Sequence, residues 1–174
     1  MLSQLNQFSQ HRLSWGLLLL SAIGLFTTAL WFQHYKQLEP CLLCIYIRVA
    51  VLGVAVAATV GLMMPRYIVA RIIGLIGWIG SAAWGLSESL ALVAKQAKSA
   101  PVSLFSNTCD YIPNFPSWMP LHQWIPEVFQ PRGQCGDEAW IWMGLSMAQW
   151  MVIAFASYLV VAAVISLSQF SRTK

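Results

Sequence analysis

Residues 13–33 read LSWGLLLLSAIGLFTTALWFQ, a run without a charge or a histidine, bounded by Arg12 and His34. It is longer than the about 18 apolar residues that separate a membrane-crossing helix from a buried core helix. It does not alternate polar and apolar positions, so it is no strand. Three further runs share its character. From Cys41 to Met64 the only charge is Arg48, from Ile72 to Ala94 it is Glu88, and from Ala139 to Ser171 there is none. In lipid every backbone polar group must be satisfied within the chain, which leaves helices or a closed barrel, and continuous apolar runs mean helices. The expectation is an all-α membrane protein, a four-transmembrane-helix bundle.

The composition agrees. Of 174 residues 58% are hydrophobic and only 9% charged, against about 25% charged in a soluble domain. Mean hydropathy is +0.63. Ten basic and six acidic side chains cannot wet a globule of this size, which excludes a soluble enzyme and a disordered tail. The net charge of +4 is dispersed and makes no nucleic-acid footprint, so nucleic acid is not a partner. The first run is too long for the about 7–15-residue core of a secretory signal and ends in aromatics, not in a small-residue cleavage site.

With the N-terminus inside, the inner parts hold Arg12, Arg66, Arg71, Arg172 and Lys174 and no acid. The outer parts hold Lys36, Lys95, Lys98 and Arg132, with Glu39, Asp110, Glu127, Asp137 and Glu138. Lys and Arg counting therefore places both termini in the cytoplasm. The expected single membrane domain, 1–174, has spans at about 14–33, 42–63, 70–93 and 144–168 and outer loops at about 34–41 and 94–143. All four cysteines then lie at or beyond the outer face.

The long outer loop contains YIPNFPSWMPLHQWIPEVFQPRGQC, residues 111–135, whose five prolines forbid one long helix. Trp118, Trp124, Phe115, Phe129 and Ile125 suit the headgroup layer. A short interfacial helix around Leu121 to Phe129 is expected; the alternative is a plain surface loop carrying a few tryptophans.

Cys41 and Cys44 form a Cys-Leu-Leu-Cys motif directly after Pro40, at the entry to the second span. A helix N-terminus favours thiolate, and this spacing allows two thiols to close into a redox-active disulfide. Haem attachment needs a histidine after the second cysteine, where Ile45 stands. A four-thiolate zinc site needs a second close pair, whereas Cys109 and Cys135 are 26 positions apart. Four cysteines allow three connectivities, and Cys109 with Cys135 suits either a static staple of the loop or a redox pair on the oxidising side. Arg48 follows Cys44 by four positions and Cys41 by seven, so the three share a helix face. An intramembrane arginine is costly and by default functional. It can support a Cys44 thiolate and an oxygen gaining charge, or it can snorkel to an interface about 10 Å away.

Pro-Cys-x-x-Cys-Ile-Tyr-x-Arg at 40–48, WFQH at 31–34, Thr-Cys-Asp at 108–110, FPSWMPLHQWIPEVF at 115–129 and AQW at 148–150 resemble the bacterial disulfide bond formation protein B family across essentially the whole chain. The DsbA–DsbB–quinone system keeps the bacterial periplasm oxidising. The resemblance implies a four-helix inner-membrane protein that reoxidises a DsbA-like periplasmic thiol oxidase and passes electrons to a membrane quinone, ubiquinone or menaquinone. It implies that Cys109 and Cys135 form the loop pair that the partner attacks at Cys109, that Cys135 exchanges with Cys41, and that Cys44 and Arg48 face the quinone.

The chain departs from the family at Ile47, where an acidic residue is usual, and at Leu90-Ala91-Leu92, where a quinone-proximal histidine is usual. Glu88 is the polar residue of that span, at a depth similar to Arg48, and the two are expected to pair; Glu88 thereby becomes a candidate quinone-site residue. Two other classes compete: a vitamin K epoxide reductase-like thiol–quinone enzyme, in which the loop pair precedes the Cys-x-x-Cys, and a non-enzymatic tetraspan scaffold with static disulfides.

Overall fold

In a computed structural model the described residues are 12–64, 67–98, 113–116, 119–133 and 140–170. Four long helices carry the fold: α1 (Arg12–Lys36), α2 (Leu42–Met63), α3 (Ile68–Lys98) and, after the outer segment, α6 (Met147–Phe170). Each is long and apolar enough to cross a membrane. The expected four-helix membrane bundle is what the chain forms. α2 packs against α1 on one side and α3 on the other, and α3 packs against α6. α1 and α6 meet through the Ser21 Oγ–Tyr158 Oη hydrogen bond of 2.9 Å.

Close packing in lipid depends on small residues that let helices approach, because lipid tails are as apolar as leucine. Ala50, Val54, Ala57 and Ala58 of α2 and Ala82 of α3 are buried in the seam. The Trp15 ring lies against Gly61 and the Phe155 ring against Gly85, each in the space a Cβ would fill. Trp15 and Trp78 meet edge to face at 6.2 Å. Leu17, Leu20, Ile73, Ile76, Val160 and Leu167 point outward. An outer surface this apolar belongs in hydrocarbon.

The outer segment contains two single turns, α4 (Leu121–Trp124) and α5 (Pro126–Phe129). Pro126 starts the second turn; lacking an N–H, it interrupts the one continuous helix expected across Leu121 to Phe129. Ahead of α6, β1 (Ile141–Trp142) and β2 (Leu145–Ser146) form an antiparallel hairpin. Its two turn residues, Met143 at φ 52° and Gly144 at φ 80°, have the positive φ of a type I′ turn. Ser146 and Gln149 then cap α6 reciprocally: Gln149 N–H donates to Ser146 Oγ and Ser146 N–H to Gln149 Oε1. Ser146 Oγ also bonds Gln96 Oε1 at 3.1 Å, tying the start of α6 to the end of α3.

Candidate redox site at the outer end of the bundle

Pro40 directs the chain into α2, and Cys41 is the helix N-cap, extended at φ −77° and ψ 170°. Its Sγ accepts from the Cys44 N–H at 3.3 Å, doing for the first turn what a serine hydroxyl does elsewhere. The cap brings the two sulfurs to 2.7 Å. Both are free thiols, and closing to the about 2.05 Å of a disulfide needs only a small side-chain movement. Cys41 is 3% exposed, whereas Cys44 is half-buried. The hydrogen bond to Cys44 and then burial hold the Cys41 thiol well above the usual thiol range.

Arg48 lies one turn further into α2 and is 7% exposed. It does not snorkel to the surface. Its Nη1 donates to Gln33 Oε1 at 2.6 Å and to the Val128 carbonyl at 3.1 Å, and its Nη2 reaches the Ala29 carbonyl at 3.5 Å. A guanidinium has five N–H donors, so three contacts, one of them at the limit of hydrogen bonding, leave capacity for an oxygen that gains charge. The same residue fastens α1 and α5 to α2. Gln33 completes the knot by donating its Nε2 to the Glu127 carbonyl.

Glu88 is not part of this knot. It is half-buried on α3 and accepts from Trp84 Nε1 at 3.0 Å, one turn back on its own helix. The expected Glu88–Arg48 pair is absent. Similar depth does not give a similar heading: Arg48 faces α1 and α5, whereas Glu88 is engaged along α3. Among the described residues, all the hydrogen-bond partners of Arg48 are neutral.

Among the described residues, the stretch from Asn114 to Gly133 is held to the helices at three places. The Asn114 N–H donates to Tyr46 Oη at 2.9 Å, and Phe115 packs edge-on against the Tyr46 ring and stacks on His122. Gln33 and Arg48 hold the Glu127 and Val128 carbonyls. Finally, the N–H groups of Arg132 and Gly133 both donate to the Pro40 carbonyl, at 3.0 and 3.1 Å. Cys109 and Cys135 lie outside the described residues, so of the four candidate cysteines the structure brings together Cys41 and Cys44.

Sequence reasoning missed Gln33, although it lies within the WFQH stretch, and missed Pro40 and Gly133 as a contact. Gln33 reads as an ordinary polar residue at a span end. The Pro40–Gly133 contact is made by backbone atoms, which leave no side-chain signature.

The family model described as "Disulfide bond formation protein DsbB" matches residues 11–165. A protein named Disulfide bond formation protein B from Shewanella frigidimarina is 50% identical over 157 residues, 90% of each chain. Another of that name, from Shewanella loihica, is 46% identical over 173 residues, 99% of each chain. A third, from Shewanella sp. strain ANA-3, is 47% identical over 155 residues, 89% of this chain and 86% of its own.

Proposed function

The chain belongs to the disulfide bond formation protein DsbB family, a family of thiol:quinone oxidoreductases, and from that premise we propose how its residues divide the work. The protein forms disulfides by reoxidising a DsbA-like dithiol oxidase. Its outer end faces the periplasm across the bacterial inner membrane, with both termini in the cytoplasm. The observation that carries the site reading is a pair of vicinal thiols at the head of a membrane helix, with a buried arginine one turn inside that bonds no carboxylate among the described residues.

The steps conserve electrons throughout. A thiolate of the reduced partner attacks Cys109 of a Cys109–Cys135 disulfide; a mixed disulfide forms and Cys135 leaves as thiolate. Cys135 attacks Cys41 of the Cys41–Cys44 disulfide, and Cys44 leaves carrying the electron pair. The second partner thiolate then displaces Cys109, releasing the partner as an oxidised disulfide. Cys109 in turn recovers Cys135 from Cys41. Each exchange depends on the attacking thiolate and on the pKa of the leaving sulfur. A membrane quinone, ubiquinone or menaquinone, supplies a two-electron sink when bound. The half-buried Cys44 would face its ring as electron donor, and the spare donors of Arg48 would hold a carbonyl oxygen by N–H bonds as charge develops there. Glu88 is bound to Trp84 and not to Arg48, so it has no bonding role there.

Two experiments test this in purified protein reconstituted with reduced partner and either quinone. Quinone reduction should occur in the wild type and vanish in Cys44→Ala. Cys135→Ala should accumulate a partner–Cys109 adduct on a non-reducing gel. An adduct through Cys41 would reverse the electron order, and a wild type without thiol-dependent quinone reduction would return the chain to the scaffold class.

A further inference from the structure

We propose that Gly133 is a positioning residue of the relay, mooring the chain that leads to Cys135 against the peptide that leads to Cys41. This rests on the thiol relay described above and adds to it a residue that carries no reactive atom.

The Pro40 carbonyl belongs to the peptide bond that enters Cys41, and it accepts from both Arg132 and Gly133. A carbonyl oxygen has two lone pairs, so both bonds are satisfied together. A Cβ on residue 133 would collide with the Glu39 carbonyl oxygen and would lie 3.0 Å from the Glu39 carbonyl carbon and 3.4 Å from that of Pro40. These are backbone atoms next to a proline and cannot rotate away. Only glycine allows so close an approach of backbone to backbone. The mooring does not float, because α5 just before it is fixed by Arg48 and Gln33.

Chain geometry does the rest. Cys135 follows Gly133 by two residues, a tether of at most about 7 Å from a residue bonded beside Cys41. On the other side, the nearest described anchor is Asn114 on Tyr46, five residues from Cys109, which gives that cysteine a reach of about 17 Å. The short tether serves the internal step and the long one serves the partner. Cys41, 3% exposed, is a poor target for a diffusing thiol and a better one for a sulfur on a short tether. In that step the Cys135 thiolate attacks Cys41 Sγ, the Cys135–Cys41 bond forms as the Cys41–Cys44 bond breaks, and Cys44 leaves as thiolate.

The test uses the full chain with Cys44→Ala and Cys109→Ala, leaving Cys41 and Cys135, and follows their disulfide under diamide by non-reducing peptide mapping. Gly133→Ala should slow closure about 10- to 100-fold, as expected when a reacting group is displaced by an ångström or more. A four-residue Gly-Ser insertion after Gln134 keeps the mooring and lengthens the tether, and should slow closure about fivefold. Closure at the parent rate in either variant overturns the mooring. In a Cys109→Ser/Cys135→Ser background, dithiothreitol-driven quinone reduction through Cys41 and Cys44 should be the same with and without Gly133→Ala. An equal fall there would make Gly133 a support of the helix head and also overturn the proposal. A wild type that moves no electrons from partner to quinone refutes the relay; the closure rates report on the mooring by themselves.

Discussion

The hydrogen bond between Gln33 Oε1 and Arg48 Nη1, at 2.6 Å, should be one of the strongest polar contacts between α1 and α2. Replacing Gln33 by Leu deletes it and also deletes the bond from Gln33 Nε2 to the Glu127 carbonyl. A hydrogen bond to a charged group contributes about 1.5–3 kcal/mol in soluble proteins. Interhelical pairs in membranes average only about 0.6 and reach about 1.7 kcal/mol, because the unfolded chain in lipid also finds partners. Arg48 is buried and its remaining acceptors are two carbonyls, so the upper end of the membrane range applies. The expected coupling is about 1.5 kcal/mol, a little over tenfold in the folding equilibrium. It is read by a double-mutant cycle of Gln33→Leu and Arg48→Met, with unfolding followed by circular dichroism in mixed micelles of dodecylmaltoside and increasing dodecyl sulfate. Gln33→Leu should destabilise the wild type clearly and the Arg48→Met chain by only the about 1 kcal/mol of its bond to Glu127. Additive losses, with a coupling below about 0.3–0.5 kcal/mol, the usual tolerance for independent sites, would show that Arg48 holds α2 to α1 through nothing that Gln33 supplies.

Arg48→Leu should slow quinone reduction more than thiol exchange with the partner, and Arg48→Lys should restore part of it, since an ammonium lacks the planar fork; stopped-flow measurement of the two phases separates them, and equal slowing of both refutes the assignment. Glu88→Gln should leave the pH profile of Cys44 alkylation superimposable on the wild type, because Glu88 is engaged by Trp84 and not by Arg48; a displaced profile would mean that the carboxylate reaches the thiols. In the reduced pair at pH 7, iodoacetamide should label Cys44 before Cys41. The Cys41 thiol is held above its ordinary range by Cys44 and by burial, so its reactivity should rise only as pH climbs beyond that range. Mass spectrometry of early time points shows the order, and Cys41-first labelling contradicts it.

The membrane fold was legible because lipid imposes a demand on long stretches at once: four apolar runs can be read without knowing a single contact. The head of α2 was legible because Pro40, Cys41 and Cys44 each have a preferred place at a helix start. The β1–β2 hairpin was not, since Met143 and Gly144 sit inside an unbroken apolar run and their backbone turn announces itself only through φ. The Glu88–Arg48 pair was read wrongly for a geometric reason. Sequence spacing from a span end gives depth, whereas pairing also needs azimuth, which the packing of α2 between α1 and α3 decides. Gln33 was hidden because its role depends on α5 returning over the bundle end, a long-range event with no local pattern.

That geometry bears on why the described oxygens that hold Arg48 are neutral. Guanidinium stays charged in a protein, and burial makes an uncompensated cation costly. A carboxylate beside Arg48 would lower that cost and would also consume its field. In this chain position 47 is Ile47, Glu88 is engaged elsewhere, and among the described residues Arg48 is held by Gln33, Val128 and Ala29, all through dipoles. Dipoles fix the guanidinium in place without neutralising it. The charge it exerts is therefore available to whatever anionic group forms nearby, and the group one turn away is the sulfur that leaves as thiolate when the Cys41–Cys44 bond opens. The same three oxygens come from α1 and from α5, so the residue that supports the electron pair is also the one that closes the outer segment over it. A substitution there disturbs the charge and the enclosure together, which is why the Arg48→Lys arm, keeping charge while losing the fork, separates the two contributions better than any removal.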